Sequence, residues 1–290
     1  MYDKKWNIYN EGEFMRKIVI LGFIMLLIVS LVGCSSTDAN VGESTGNGSE
    51  PVENEVVKDD SLTKIQEAGK IRVGLCAAYP PFESRNEETG EIEGFDIDLA
   101  HALSDEIGIP VEINDAEWQA LLGGLNKGDF DVLITCMSKK EAAAENVNMS
   151  DVYYELKDVI VVKEGNDTIQ SVDDLEDKTI GVQLGSGSEQ IADRLEGLKE
   201  IKRYNYNPEA FIDLKNERID AIVVGEAYAI NHIKASGGFE IVNTPLESAE
   251  IVMVMRSGED ALTTALNDAL KTVKENGSYD EAIDKWLSVD

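Results

Sequence analysis

Two aromatic residues at predicted loop or helix edges, Tyr79 and Trp118, stand with small polar side chains at predicted strand ends, Cys76, Thr135, Cys136 and Ser138. Ser186 and Ser188 follow another predicted strand. The chemistry this set could perform is holding a small molecule. Aromatic faces stack on apolar or cationic groups and keep water away, and hydroxyls with backbone amides can bond a molecule's charged ends. Ser186 and Ser188 precede a predicted helix, whose positive end favours an anion, although Gly-Ser runs also make plain turns. Trp118 has core packing at helical spacing as its alternative. Neither metal nor cofactor is expected: the only histidines, His101 and His232, sit mid-helix and far apart, and the acidic residues lack EF-hand spacing.

The elements that must position these residues alternate between strand and helix. Residues 71–75 read as a strand by apolar alternation, and the prolines of Tyr79-Pro80-Pro81-Phe82 then force an extended loop. Turn chemistry follows over 86–90. A helix is predicted from Asp96, its N-cap, with Ile97, Ala100, Leu103 and Ile107 on one face. Further strands are expected at 111–114, 131–135, 159–162, 179–184 and 219–224. Helices are expected from Trp118, after a Ser171 capping box, after Ser188, from an Asn207 cap with Pro208, and over 225–235. Such alternation implies parallel sheets with right-handed crossovers, whose ligands lie at one strand edge.

The N-terminal stretch is different. Residues 18–32 form an apolar run of 15 residues behind Arg16 and Lys17, short of the roughly 20 a spanning helix needs. This predicts a secretory signal over residues 1–33, with Met15 as the expected true start; an uncleaved membrane anchor is the alternative. Residues 34–60 are polar and too poor in apolar content to fold, which predicts a flexible tether. The remaining 230 residues suffice for two domains. With 26 Lys+Arg against 56 Asp+Glu, net −30, nucleic acid and anionic lipid are disfavoured as partners.

A long ordered pattern carries a family resemblance. Arg72-Val73-Gly74, Tyr79-Pro80-Pro81-Phe82-Glu83 and the run from Gly90 through Gly94-Phe95-Asp96-Ile97-Asp98-Leu99-Ala100 resemble the opening of the family 3 extracellular solute-binding proteins, receptors of amino-acid ABC importers. Gly128-Asp129-Phe130-Asp131-Val132, Ser150-Asp151-Val152-Tyr153-Tyr154, Gly181-Val182-Gln183-Leu184-Gly185 and Gly277-Ser278-Tyr279-Asp280 continue it in order. The resemblance implies an α/β, two-lobed periplasmic-binding-protein fold (type II), two parallel-rich sheets joined by a two-stranded hinge. Lobe 1 would be 61–157 plus 251–290 and lobe 2 158–250, closing on a ligand as such proteins do. Leu31-Val32-Gly33-Cys34 resembles a lipobox, which makes Cys34 a lipid anchor on the extracellular face of the cell membrane.

The resemblance implies a ligand set of Cys76, Tyr79, Trp118, Thr135, Cys136, Ser138, Gln183, Ser186, Ser188 and Glu226, with no catalytic residue. It also exposes two departures. The family's Thr-x-Thr-x-Glu-Arg ends in an arginine that clamps the ligand's carboxylate, and that position reads as Ala143; the aspartate that holds its ammonium reads as Gly225, with Glu226 beside it. Either Lys139 or Lys140 and Glu226 substitute, or the ligand is not a standard α-amino acid. Cys76 and Cys136 either form a disulfide or remain unpaired beside the cleft. The implied function is a monomeric receptor handing a small polar solute, an amino acid or derivative, to an ABC permease. The alternatives are an enzyme resembling cyclohexadienyl dehydratase, with Glu226 its one candidate acid, and a sensor reporting to a signalling partner.

Overall fold

The computed structural model of the protein describes residues 59–242 and 246–288. The expected signal, Cys34 and nearly all of the tether lie outside those residues. Helix α1 (Ser61–Ala68) leads into β1 (Ile71–Leu75), whose Ile71, Val73 and Leu75 are buried as the alternation requires. A small antiparallel sheet of β2 (Ala78–Tyr79), β3 (Glu83–Arg85) and β4 (Ile92–Glu93) then carries the Tyr79 loop. Helix α2 (Phe95–Ile107) follows. Its cap is Gly94 rather than the expected Asp96, because the chain enters at φ 142 and a Cβ there would lie 2.2 Å from the Phe82 carbonyl oxygen. Asp96 is instead buried, taking a 3.1 Å hydrogen bond from the Tyr153 hydroxyl.

Strand β5 (Val111–Asp115), a 3-10 turn at Trp118–Ala120, α3 (Leu121–Lys127), β6 (Val132–Leu133), α4 (Lys139–Ala142) and β7 (Val147–Met149) come next. β6 is shorter than expected, since Cys136 adopts φ 52 and turns the chain out of the ladder. β8 (Tyr154–Lys163) is longer, ten residues. Then come β9 (Thr179–Gln183), α5 (Gly187–Ala192), β10 (Glu200–Tyr204), α6 (Asn207–Lys215), β11 (Ala221–Gly225), α7 (Glu226–Ser236), β12 (Phe239–Ile241) and β13 (Ser248–Ile251). The chain ends in β14 (Val254–Arg256), α8 (Asp260–Asn276) and α9 (Ser278–Trp286).

These strands form two main sheets, ordered β5-β1-β6-β14-β7 and β10-β9-β11-β8-β12. Each is mixed rather than parallel throughout. β1 runs parallel to β5 and β6, and β9 to β10 and β11, whereas β14 and β8 pair antiparallel to their neighbours. The antiparallel strands belong to the connection between the halves. The first four residues of β8 pair with all of β13, Tyr154 with Ile251 through Lys157 with Ser248, while its last part joins the second sheet. Each sheet buries apolar side chains on both faces. Val73, Leu99, Leu103, Leu266 and Leu270 pack on one side of the first and Leu121, Leu125 and Leu133 on the other. Val224, Phe211 and Tyr228 pack beneath the second and Ile160, Ile180 and Val223 above it. The result is two separately cored halves joined by a two-stranded ribbon, with the ends of β1, β6 and β9 facing the space between them.

Candidate functional site

A narrow cleft with about 50 Å³ of free space lies between the halves. β2 brings Tyr79, whose ring stacks on Tyr228 with centroids 4.9 Å apart and on Phe82 at 5.9 Å. The 3-10 turn brings Trp118, the exit of β6 brings Thr135, Cys136 and Ser138, and the turn after β9 brings Ser186 and Ser188. Three side chains of the first half hydrogen-bond the turn after β9 in the second. Trp118 Nε1 donates to the Gly185 carbonyl at 3.1 Å, Gln119 Nε2 donates to the Leu184 carbonyl at 3.3 Å, and Glu141 Oε1 accepts from the Gly187 amide. Glu141 is placed by a complete capping box. Ser138 Oγ accepts from the Glu141 amide at 3.1 Å, and Glu141 Oε2 accepts from the Ser138 amide at 2.6 Å.

Carboxyl groups dominate the electrostatics. Glu83, Glu141 and Asp158 all line the cleft, and no Lys, Arg or His is among the described residues that do. Burial raises Glu141 to about 7, opposed by the hydrogen bonds from Ser138 and Gly187. Burial likewise raises Asp158 to about 6, against the 2.6 Å hydrogen bond from Ser188 Oγ. Glu83 accepts from Thr135 Oγ1 at 2.9 Å. Its Oε2 and Asp96 Oδ1 are buried without a donor from elsewhere in the protein. Burial, then the charge of Asp96 beside it, pushes Glu83 well above the usual carboxylate range, so the pair holds a proton that Glu83 gives to Asp96.

Of the ten residues expected in the ligand set, the structure brings nine to this cleft: Cys76, Tyr79, Trp118, Thr135, Cys136, Ser138, Gln183, Ser186 and Ser188. Glu226 is elsewhere. It is the first residue of α7 and lines a separate depression with Tyr154, Ala227 and Trp286, because the helix turns its side chain behind the Tyr79 loop. It therefore neither replaces the missing aspartate nor offers the cleft an acid. At Gly225 itself a Cβ would stand 2.3 Å from the Tyr79 hydroxyl, so that phenol fills the place a side chain would take. Lys139 is exposed and pairs with Glu250 at 3.4 Å, and Lys140 and Ala143 line an adjoining opening. The clamping position of the Thr-x-Thr-x-Glu-Arg pattern, Ala143, is exposed, and Glu141 of the Ser138 capping box is the acid that lines the cleft.

The hydroxyls of Ser186 and Ser188, expected to face an anion, are bonded within the protein. Ser186 Oγ donates to the Gln183 carbonyl and accepts from the Glu189 amide, and Ser188 Oγ is spent on Asp158. Gln183 donates from Nε2 to the Asn205 carbonyl and accepts from Asn207 Nδ2 at 3.1 Å. Cys76 and Cys136 are unpaired and buried, which removes the disulfide. Burial raises Cys76 to about 11, and Cys136 well above the ordinary thiol value. Glu83, Glu141, Asp158 and Asn207 were missing from the expected set. The signal that could have found Glu141 is Ser-x-x-Glu, a capping box beside the cleft; Asp158 is the acid that immediately precedes the apolar run 159–162 of β8.

Residues 71–289 match the bacterial extracellular solute-binding proteins, family 3. The chain is 32% identical over 225 residues to the arginine-binding extracellular protein ArtP of Bacillus subtilis, covering 76% of this chain and 86% of that one. Among solved structures, an ancestral arginine-binding protein bound to arginine is 37% identical with a TM-score of 0.71, over 76% of this chain and 99% of that one. An ancestral amino acid-binding protein described as a precursor of cyclohexadienyl dehydratase is 33% identical with a TM-score of 0.72, over 79% and 99%. Two cored halves, a ribbon between them, a cleft at their strand ends and a match over most of its length give one conclusion: the chain belongs to the bacterial extracellular solute-binding proteins of family 3.

Proposed function

We infer that the protein is a membrane-anchored extracellular receptor that closes on a small polar solute, an amino acid or amino-acid derivative, and delivers it unchanged to an ABC importer. The observation that carries this reading is the cleft itself, with polar and aromatic side chains from both halves converging on one space and Trp118, Gln119 and Glu141 bonded across it. In this reading residues 1–33 are the signal, Cys34 bears the lipid, 34–60 are the tether, and the lobes are 61–157 with 251–290 and 158–250. Closure bends the β8–β13 ribbon between the two sheets. The relatives' names speak for binding and for ABC transport. Mass spectrometry of solute carried through purification, followed by calorimetry against a solute panel, tests it. One bound solute recovered intact is the expected result. Turnover of prephenate or arogenate would replace the receptor with an enzyme.

A further inference from the structure

Within that receptor reading, on which this step rests, we propose that the guest is a cation without a carboxylate, an alkyl amine, diamine or guanidine held by Glu141 and Asp158 between the rings of Tyr79 and Trp118. Two independent features lead there. The first is the sign of the cavity. Glu83, Glu141 and Asp158 are 1%, 8% and 4% exposed and all line it, with no cationic side chain among the described lining residues. Lys139, Lys140 and Arg194 flank only the adjoining opening, and there Lys139 pairs with Glu250 and Arg194 with Glu247. Buried carboxylates without a counter-charge are costly, and a cation between them removes that cost. Glu83 holds its proton against Asp96, so the charge of the cavity rests on Glu141 and Asp158.

The second feature concerns the donors an anionic group would need. Five backbone amides at or beside the cleft are already engaged by the chain. The Gly187 amide goes to Glu141 Oε1, the Gly185 amide to Glu189 Oε2, and the Ser138 amide to Glu141 Oε2. The Cys136 amide takes the Tyr153 hydroxyl and the Cys76 amide takes Thr135 Oγ1. Glu141 thus sits as a built-in carboxylate on the turn before α5. A ligand carboxylate arriving there would meet a like charge. A cationic head would meet two acids, with the Tyr79 and Trp118 side chains lining the same space.

Calorimetry on the full chain in mild detergent, after exchange of any carried solute, decides between these charges. Agmatine and 1,4-diaminobutane are compared with arginine, lysine and glutamine. The expected result is that agmatine binds at least about tenfold more tightly than arginine, which differs from it by one carboxylate. Arginine or glutamine binding as tightly as agmatine would overturn the proposal and leave the receptor reading standing, while silence from every compound would overturn both. Glu141→Gln and Asp158→Asn, each checked for an unchanged circular dichroism spectrum, should weaken agmatine about tenfold or more. Unchanged affinity in both variants would overturn the assignment of these two side chains.

Discussion

Asp158 offers a direct measure of how strongly the cleft resists its own charge. It is 4% exposed, and its one described side-chain donor is Ser188 Oγ at 2.6 Å. Burial, together with the charge of Glu247, moves it from 3.8 to about 6; Glu141 is the other acid that faces it, and Asp158 in turn raises Glu141. A carboxyl whose folded value lies above its unfolded one binds its proton more tightly in the native state. Native stability therefore falls as pH rises from about 4 to about 6 and stays reduced above that. A shift of roughly two units corresponds to a ceiling of about 3 kcal/mol. Asp158→Asn keeps an oxygen for Ser188 and removes the titration, so it should leave stability at pH 4 nearly unchanged and raise it at pH 8. For a chain of this size the gain in Tm is several degrees, about 10 °C at most. Urea and thermal unfolding at both pH values give the difference curve. Asp268→Asn on α8, at an exposed position, controls for the overall acidity of −30 and should show no such rise. An Asp158→Asn effect that is equal at both pH values, or a loss at pH 8, would refute the reasoning.

Three further outcomes follow from the same geometry. Gly225→Asp drives a Cβ to 2.3 Å from the Tyr79 hydroxyl and 2.9 Å from Leu156; overpacking of this kind costs about 1–3 kcal/mol in urea midpoint terms. Adding Tyr79→Phe should recover part of that loss, and equal losses in the single and double variants would contradict the clash. Trp118→Phe keeps a ring but deletes the hydrogen bond to the Gly185 carbonyl, a net loss of about 1 kcal/mol between the halves. Solution scattering of the solute-free protein should then show a larger radius of gyration than wild type. In a Cys34→Ser background, Cys76 and Cys136 should ignore a thiol reagent at pH 7 while native and yield two equivalents when denatured, since burial holds both protonated; a disulfide would yield none.

How much of this was legible in the sequence depends on the range of the forces involved. Local patterns were readable: the alternation of β1, the proline-stiffened Tyr79 loop, and the Gly-Ser turn before α5 each declare themselves within a few residues. Through the family resemblance, nine cleft residues followed. The reading failed where a distant contact decided the matter. Asp96 looks like a cap in its own segment, yet Phe82 fixes Gly94 at the helix entrance and Tyr153 claims the carboxylate. Glu226 looks like a neighbour of the missing aspartate until the turn of α7 carries it away from the cleft. The mixed sheets depend on β8, whose two parts have different partners, a division that residues 154–163 do not show by themselves.

Glu141 is the most instructive of these cases. Read linearly, it is one more acid in an acidic chain, two residues before an alanine that stands where an arginine was sought. The capping box turns it inward, and the Gly187 amide from the other half then fixes what it does. A carboxylate so placed fills the anion-accepting side of the cleft with the protein's own charge. In the proposed reading selectivity follows from what the chain already holds there, Glu141 together with Asp158.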